Sequence, residues 1–277
     1  MEIGMVAGPD FGANDRSSVL MIPKDLKRFH ILGTPVRATT YEELTEFCQS
    51  KVKSSSVFSV DFTNTQIVTM RKLDGQFREA TSKVDYFIPD GMPLIWCLNL
   101  QKAGLSDRVY GPTFMRHCVT HSPEPFTHYF LGGSEECLEK LEASFRKWQP
   151  KVRIIGKHHG YFKEGDSGRI VDEINELSPD FVWVGLGTPK QQAWVHQHKD
   201  AIKRGAVMAV GFAFDVNAGT KPDAPLWMQR NGLGWLYRLC SEPRRLLGRY
   251  VYYNSMFLYL LLIGMINGKA WSASEGN

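Results

Sequence analysis

Several signatures are missing from this 277-residue chain, and each absence closes off a class of protein. No run reaches the roughly 20 consecutive apolar residues that a membrane-crossing helix needs. The opening stretch, MEIGMVAGPDFGANDRSSVL, lacks the basic flank and apolar run of a secretory signal. Both absences predict a protein that stays in the cytoplasm. There is no Cys-x-x-Cys. The five cysteines (Cys48, Cys97, Cys118, Cys137 and Cys240) are odd in number and widely spaced, which argues against a disulfide framework or a zinc site and fits a reducing compartment. Excess charge is small: 33 Lys and Arg against 29 Asp and Glu leave +4, too little to predict a nucleic-acid partner. No Gly-x-Gly-x-x-Gly follows the first predicted strand, which disfavours a nucleotide-dependent oxidoreductase. No Asp-x-Asp occurs, His196 and His198 stand two apart and face different ways on a helix, and His158-His159 is a doublet in a loop. No metal site and no cofactor are predicted.

What is present is a regular alternation. Residues 1–27 mix Gly, Asp, Asn and Ser without periodicity and read as a flexible tail. HILGTPVRAT reads as a strand, and TYEELTEFCQSKVK as a helix with Thr40 and Glu43 forming a capping box. SSVFSVDFTN is a second strand, followed by a helical stretch interrupted at Gly75, then the strand DYFIP ending at Asp90-Gly91. Further strands (THYFLGG, KVRIIGKHHGYF, FVWVGLG, VMAVGFAFD) alternate with amphipathic helices, one of which carries Pro189 in its first turn. Strands apolar on both faces, separated by helices, predict a doubly wound α/β fold: a parallel, Rossmann-like sheet with helices on both faces, over residues 28–220.

Ligands of such sheets bind at the carboxyl ends of the strands. Those ends carry Asn64, Asp90-Gly91, Gly132-Gly133, Gly185 and Asp215. Glycine there admits close backbone approach, and the following helix N-termini favour anions, although tight strand-to-helix turns need glycine in any case. Asp90 has two readings: a carboxylate freed by Gly91 to act as a base, or a cap on the helix beginning at Met92-Pro93. Arg108 either pairs with phosphate or with an acid such as Asp107. Asp215 either binds donor hydroxyls or satisfies turn amides.

Residues 221–277 differ in character. Arg230, Arg238, Arg244, Arg245 and Arg249 face one acid, Glu242, and are interleaved with Trp227, Trp235 and several Tyr and Leu. The uncharged run MFLYLLLIGMI follows. This composition suits a basic, amphipathic helical appendage facing an anionic membrane surface, with docking on the core or on another copy as the competing reading.

Several motifs together resemble the WecG/TagA/CpsF family of glycosyltransferases: PDGMPLIW (89–96), RVYGPTF (108–114), FLGG (130–133), HGYF (159–162), GLGTPKQQAW (185–194) and GFAFDVNAGTKPDAPLWMQRNGLGWLYRLCSEPRRLLGRY (211–250). The similarity runs from about residue 29 to about 250, with the leucine-rich run at 256–266 lying beyond it. The resemblance implies an inverting, metal-independent transfer from a UDP-sugar to a polyprenyl-diphosphate-linked sugar, in bacterial surface or exopolysaccharide synthesis, by a protein peripheral on the inner face of the cell membrane. It assigns the catalytic base to Asp90 and places Gln191 near the active site; Lys190 beside it is expected to help hold diphosphate, and Thr63, next to the position of the family's usual threonine, is expected to contact substrate together with Asn64. It also implies that Arg238, Arg244, Arg245 and Arg249 neutralise diphosphate. A homo-oligomer in which one appendage completes a neighbour's site is a further expectation.

Three positions depart from the family pattern. Phe62 stands where a threonine is usual, Gln192 where a glutamate is usual, and Asp223 where an arginine is common. The first two give some weight to a non-catalytic scaffold that binds nucleotide sugar at a membrane.

Overall fold

The computed structural model describes residues 25–54, 56–122 and 126–273, so most of the stretch read as a tail lies outside the described residues. Eight strands form one sheet in the order β1-β2-β4-β3-β8-β7-β5-β6. The first prediction needs correction. HILGTPVRAT is not one strand but a hairpin, β1 (Lys27–Ile31) antiparallel to β2 (Thr34–Ala38). Leu32 and Gly33 turn the chain with φ of 50° and 84°, positive at both central residues as in a type I′ hairpin turn. Every other strand pair is parallel, as expected: β3 (Phe58–Thr63), β4 (Tyr86–Pro89), β5 (Thr127–Gly132), β6 (Arg153–His158), β7 (Phe181–Gly185) and β8 (Ala206–Ala209).

The helices follow from the strands by periodicity. After β2 comes α1 (Tyr41–Lys53), and its capping box is formed as the sequence predicts. The interrupted stretch is two helices, α2 (Thr65–Leu73) and α3 (Gly75–Glu79), with Asp74 capping the second. Next come α4 (Met92–Leu100), α5 (Gly111–Thr120), α6 (Glu135–Trp148), α7 (Ser167–Leu177), α8 (Lys190–His198) and α9 (Ala213–Asn217). The last strand ends earlier than predicted, because Gly211 (φ 52°) turns the chain into α9; Asp215 therefore lies on a short helix and not at a strand end.

Both faces of the sheet are buried. Phe181 and Trp183 of β7 pack with Phe114 of α5 and Leu141 of α6, while Val182 and Val184 pack on the opposite face with Ile174 of α7 and Trp194 of α8. This period-2 partition is why the strands read as continuous apolar runs.

The appendage holds three helices among the described residues: α10 (Leu226–Arg230), α11 (Gly234–Ser241) and α12 (Pro243–Ile266). Helix α12 lies along α2, where the Thr65 hydroxyl donates to Asn254 Oδ1 at 2.8 Å. Its Phe257 is buried in a third apolar cluster with Phe29 and Ile31 of β1, Val36 of β2, and Leu94 and Leu98 of α4. Beyond α12 the Leu32 amide donates to the Ala270 carbonyl at 2.9 Å, and Gly33 pairs with Ala273. The opposite face of α12 exposes Val251, Leu258, Leu262, Ile263 and Ile266. Docking and exposure are thus properties of two faces of one helix.

Candidate active site

Two cavities open at the carboxyl edge of the sheet and share a wall. One, about 650 Å³, is ringed mainly by polar groups from the β5, β7 and β8 turns, from Lys190 and Gln191 at the start of α8, and from Arg238, Arg245 and Arg249 of the appendage. The other, about 370 Å³, is lined by Met92, Trp96 and Leu100 of α4, Trp235 of α11, and Phe257 and Leu261 of α12. Asn64, Gln66, Asp90, Tyr110, Arg238 and Tyr250 line both.

Asp90 follows β4 directly. Its main-chain amide donates to the Thr63 carbonyl at 2.8 Å, and its carboxylate accepts from the Gly111 amide at 3.4 Å. Helix α4 is capped by Gly91 without a side-chain bond, so the capping role for Asp90 is not what the structure has. Protein encloses the carboxylate on most sides although one side meets the cavities. Desolvation raises its pKa to about 7, against the opposing charges of Arg108 and Arg238 and the Gly111 bond, while Asp61 adds a small like-charge push upward. A carboxylate near neutrality is suited to take a proton from an attacking hydroxyl.

Arg108 lines the apolar cavity beside Asp90, its guanidinium 4.6 Å from the centre of the Tyr110 ring. What Asp107 accepts is the main-chain amide of Arg108, at 2.7 Å. Asn64 caps α2 through its side chain, accepting from the Ile67 amide, and still faces both cavities. Gly91 lines the apolar cavity; Gly133, Gly185, Lys190 and Gln191 line the polar one. Lys190 Nζ donates to the Gly160 carbonyl at 2.9 Å, tying the 159–161 loop to the rim. Tyr161 of that loop, not selected from sequence, is exposed at the same rim.

Three expected contacts fall elsewhere. Thr63 lines neither cavity: strand alternation turns it inward, fully buried, where its hydroxyl donates to the Asp61 carboxylate. Gly132 is also away from the cavity surface, and a Cβ there would meet the Gly185 backbone at 2.5 Å, so close packing between β5 and β7 explains this glycine. Arg244 points outward to solvent, while Arg245 and Arg249 of the same helix face the polar cavity.

Asp215 faces the polar cavity with its carboxylate partly engaged. It accepts from the Thr220 hydroxyl at 3.1 Å and sits 3.8 Å from Lys221 Nζ, which reaches Glu242 at 3.3 Å; Glu242 in turn pairs with Arg245. This relay joins core and appendage across the cavity mouth. Asp223 makes a second join, accepting from the Tyr110 hydroxyl and from Gln229 Nε2, each at 3.0 Å.

The structure accounts for Gln192. Its Nε2 donates at 2.8 Å to Asp61, a fully buried carboxylate on β3. A glutamate at 192 would set two carboxylates against each other out of water, so a neutral donor is the compatible residue here. Phe62 points to the other face, packed on Phe114 at 5.2 Å between ring centres, and contributes an apolar patch to the polar cavity wall. Among the described residues no three His, Cys, Asp or Glu side chains gather as a metal-binding group.

A family model described as glycosyl transferase WecG/TagA/CpsF matches residues 29–270. The chain belongs to this family. The match extends past residue 250 and takes in α12, so the leucine-rich run is not an addition outside the family region. Curated relatives from Staphylococcus aureus strains MW2, NCTC 8325 and COL, each named N-acetylglucosaminyldiphosphoundecaprenol N-acetyl-beta-D-mannosaminyltransferase, are 26% identical over 219 residues, covering 78% of this chain and 85% of each relative. Membership makes the chain a glycosyltransferase and gives the paired cavities a chemical context.

Proposed function

We propose that this protein transfers a sugar from a UDP-sugar to a polyprenyl-diphosphate-linked sugar, with inversion at the anomeric carbon, in bacterial surface or exopolysaccharide synthesis. The observation that carries the reading is Asp90 at the wall shared by a polar and an apolar cavity, since the two reactants differ in the same way. A nucleoside diphosphate sugar suits the polar cavity: Tyr161 offers a ring face to a base, Asp215 and Gln191 offer partners for hydroxyls, and Arg238, Arg245 and Arg249 offer fixed positive charge for the diphosphate. The acceptor suits the apolar cavity, with Arg108 near its diphosphate and Trp96, Leu100 and Leu261 along the first part of its lipid.

In the proposed step the acceptor hydroxyl attacks the anomeric carbon as its proton passes to Asp90. The bond from that carbon to the UDP oxygen breaks, and the arginines hold the departing charge. The exposed apolar face of α12 next to Arg244, Arg245 and Arg249 supports binding at the surface of a membrane. Helix α12 is the one described helix long and apolar enough to cross a bilayer, unlike the 11-residue uncharged run considered alone. Its arginines and its docking on α2 suit a helix lying along the cytoplasmic face instead.

The test is transfer from a panel of radiolabelled UDP-sugars onto a short-chain polyprenyl-diphosphate sugar in EDTA, wild type against Asp90→Asn. Activity that persists in EDTA and collapses in the variant is expected, and the panel identifies the donor. Absence of transfer with every donor, in a protein that also fails to bind UDP, would overturn the reading.

A further inference from the structure

Asp61 touches neither cavity, yet its two carboxylate oxygens reach toward opposite sides of the site. One accepts from the Thr63 hydroxyl and the other from Gln192 Nε2. Through Thr63 the carboxylate fixes the end of β3, where the Thr63 carbonyl receives the Asp90 amide and Asn64 begins α2. Through Gln192 it fixes the first turn of α8. The adjacent Gln191 lines the polar cavity, and its Oε1 accepts from the Gly187 amide at 3.2 Å. Strand β8 lies between β3 and β7 in the sheet, so no main-chain ladder connects these two edges directly. The Asp61 side chain spans the gap.

Burying a carboxylate is costly unless it is well bonded, and a floor held only by packing would be served by an apolar residue. We infer that Asp61 is a positioning residue for transfer, bracing Asp90 on one side of the cavity floor and the α8 turn on the other. The inference rests on the proposed function for its kinetic readout, while the brace itself has a readout independent of activity. Gln192 Oε1 has no hydrogen-bond partner among the described residues. An asparagine at 61 can therefore keep the span by donating to that oxygen once the Gln192 amide turns over.

The arms separate kinetically. Thr63→Val cuts the arm to Asp90 and is expected to lower kcat about tenfold with donor KM within about twofold of wild type. Gln192→Leu cuts the arm to α8 and is expected to raise donor KM about tenfold with kcat nearly unchanged. Asp61→Val combines both losses, and Asp61→Asn recovers most of each. Amide exchange measured by mass spectrometry reads the brace directly: faster exchange is expected at residues 185–192 in Gln192→Leu and at 88–94 in Thr63→Val, with the β1–β2 hairpin unchanged. Folded Thr63→Val and Gln192→Leu proteins that keep wild-type kinetics and exchange, or that lose both parameters in the same proportion, would overturn the inference. If Asp61→Val fails to fold, these two milder variants decide. If the wild type transfers no sugar, the functional reading falls, and the exchange data alone judge the brace.

Discussion

The guanidinium of Arg238 lies 3.8 Å from the centre of the Phe212 ring, which fixes an appendage cation over the mouth of the polar cavity and within electrostatic reach of Asp90. A planar, stacked cation of this kind loses little freedom when it meets diphosphate. Arg238→Ala is expected to lower kcat/KM by about 100-fold, and Arg238→Lys to recover only a small part, because an ammonium neither stacks nor forks in the same way. Arg244→Ala serves as the contrast: the side chain faces solvent, and activity within about twofold of wild type is expected. Equal losses at Arg244 and Arg245 in the same steady-state assay would contradict this geometry.

In the proposed transfer Asp90 has to be ionised to act. With the Asp90 pKa raised to about 7, the rate rises with pH through neutrality and levels off above it. A profile of kcat/KM that is flat from pH 5.5 to 8.5 would remove Asp90 from the rate-determining proton transfer.

The same shift has a consequence for stability, with a definite sign. The folded pKa lies above the unfolded value of 3.8, so the folded state binds the proton more tightly. That contribution is complete below the unfolded value and is lost as pH rises through about 7. Asp90→Asn removes the buried charge, and its Tm is expected to exceed that of wild type by several degrees at pH 8 and by roughly a third as much at pH 5, because pH 5 already lies above the unfolded value. Thermal melts at the two pH values test this.

The two faces of α12 separate by mutation. Phe257→Ala opens a void in the cluster beneath the hairpin and should cost about 3–5 kcal/mol. Leu262→Glu with Ile266→Glu alters only exposed positions; Tm should stay within about 2 °C of wild type while binding to anionic vesicles falls in a flotation assay. Vesicle binding that survives the double substitution would mean that another surface carries attachment.

The parallel sheet, its two covered faces and the cavity-bearing rim were legible in the sequence because strands buried on both sides must be continuously apolar. Asp90, Arg108, Arg245 and Arg249 line the cavities as expected, but local chemistry left Asp90 and Arg108 with two readings each, and it was the family motifs that singled out Asp90 and the arginines of α12. The hairpin was not legible, since HILGTPVRAT reads as one apolar run and Leu32 gives no warning of a positive φ. Nor was the reason for Gln192, because its partner Asp61 is 131 residues away and no local pattern relates them. Helix α5, which supplies Gly111 to Asp90, was missed because GPTFMRHCVT follows a loop and opens with Gly-Pro, a signal that reads equally as a turn. The outward aim of Arg244 is a matter of helical phase, which depends on where α12 docks and not on composition.

Residues 232–261, which wall the apolar cavity on one side, follow all eight strands in chain order. In synthesis from the amino end, this wall of the cavity is among the last segments to leave the ribosome. The cluster around Phe29, Ile31 and Leu94 stays without Phe257 until nearly the whole chain has emerged. Assembly of the apolar cavity is therefore a late event in the life of each molecule, and the same segment that finishes it carries the exposed apolar face of α12.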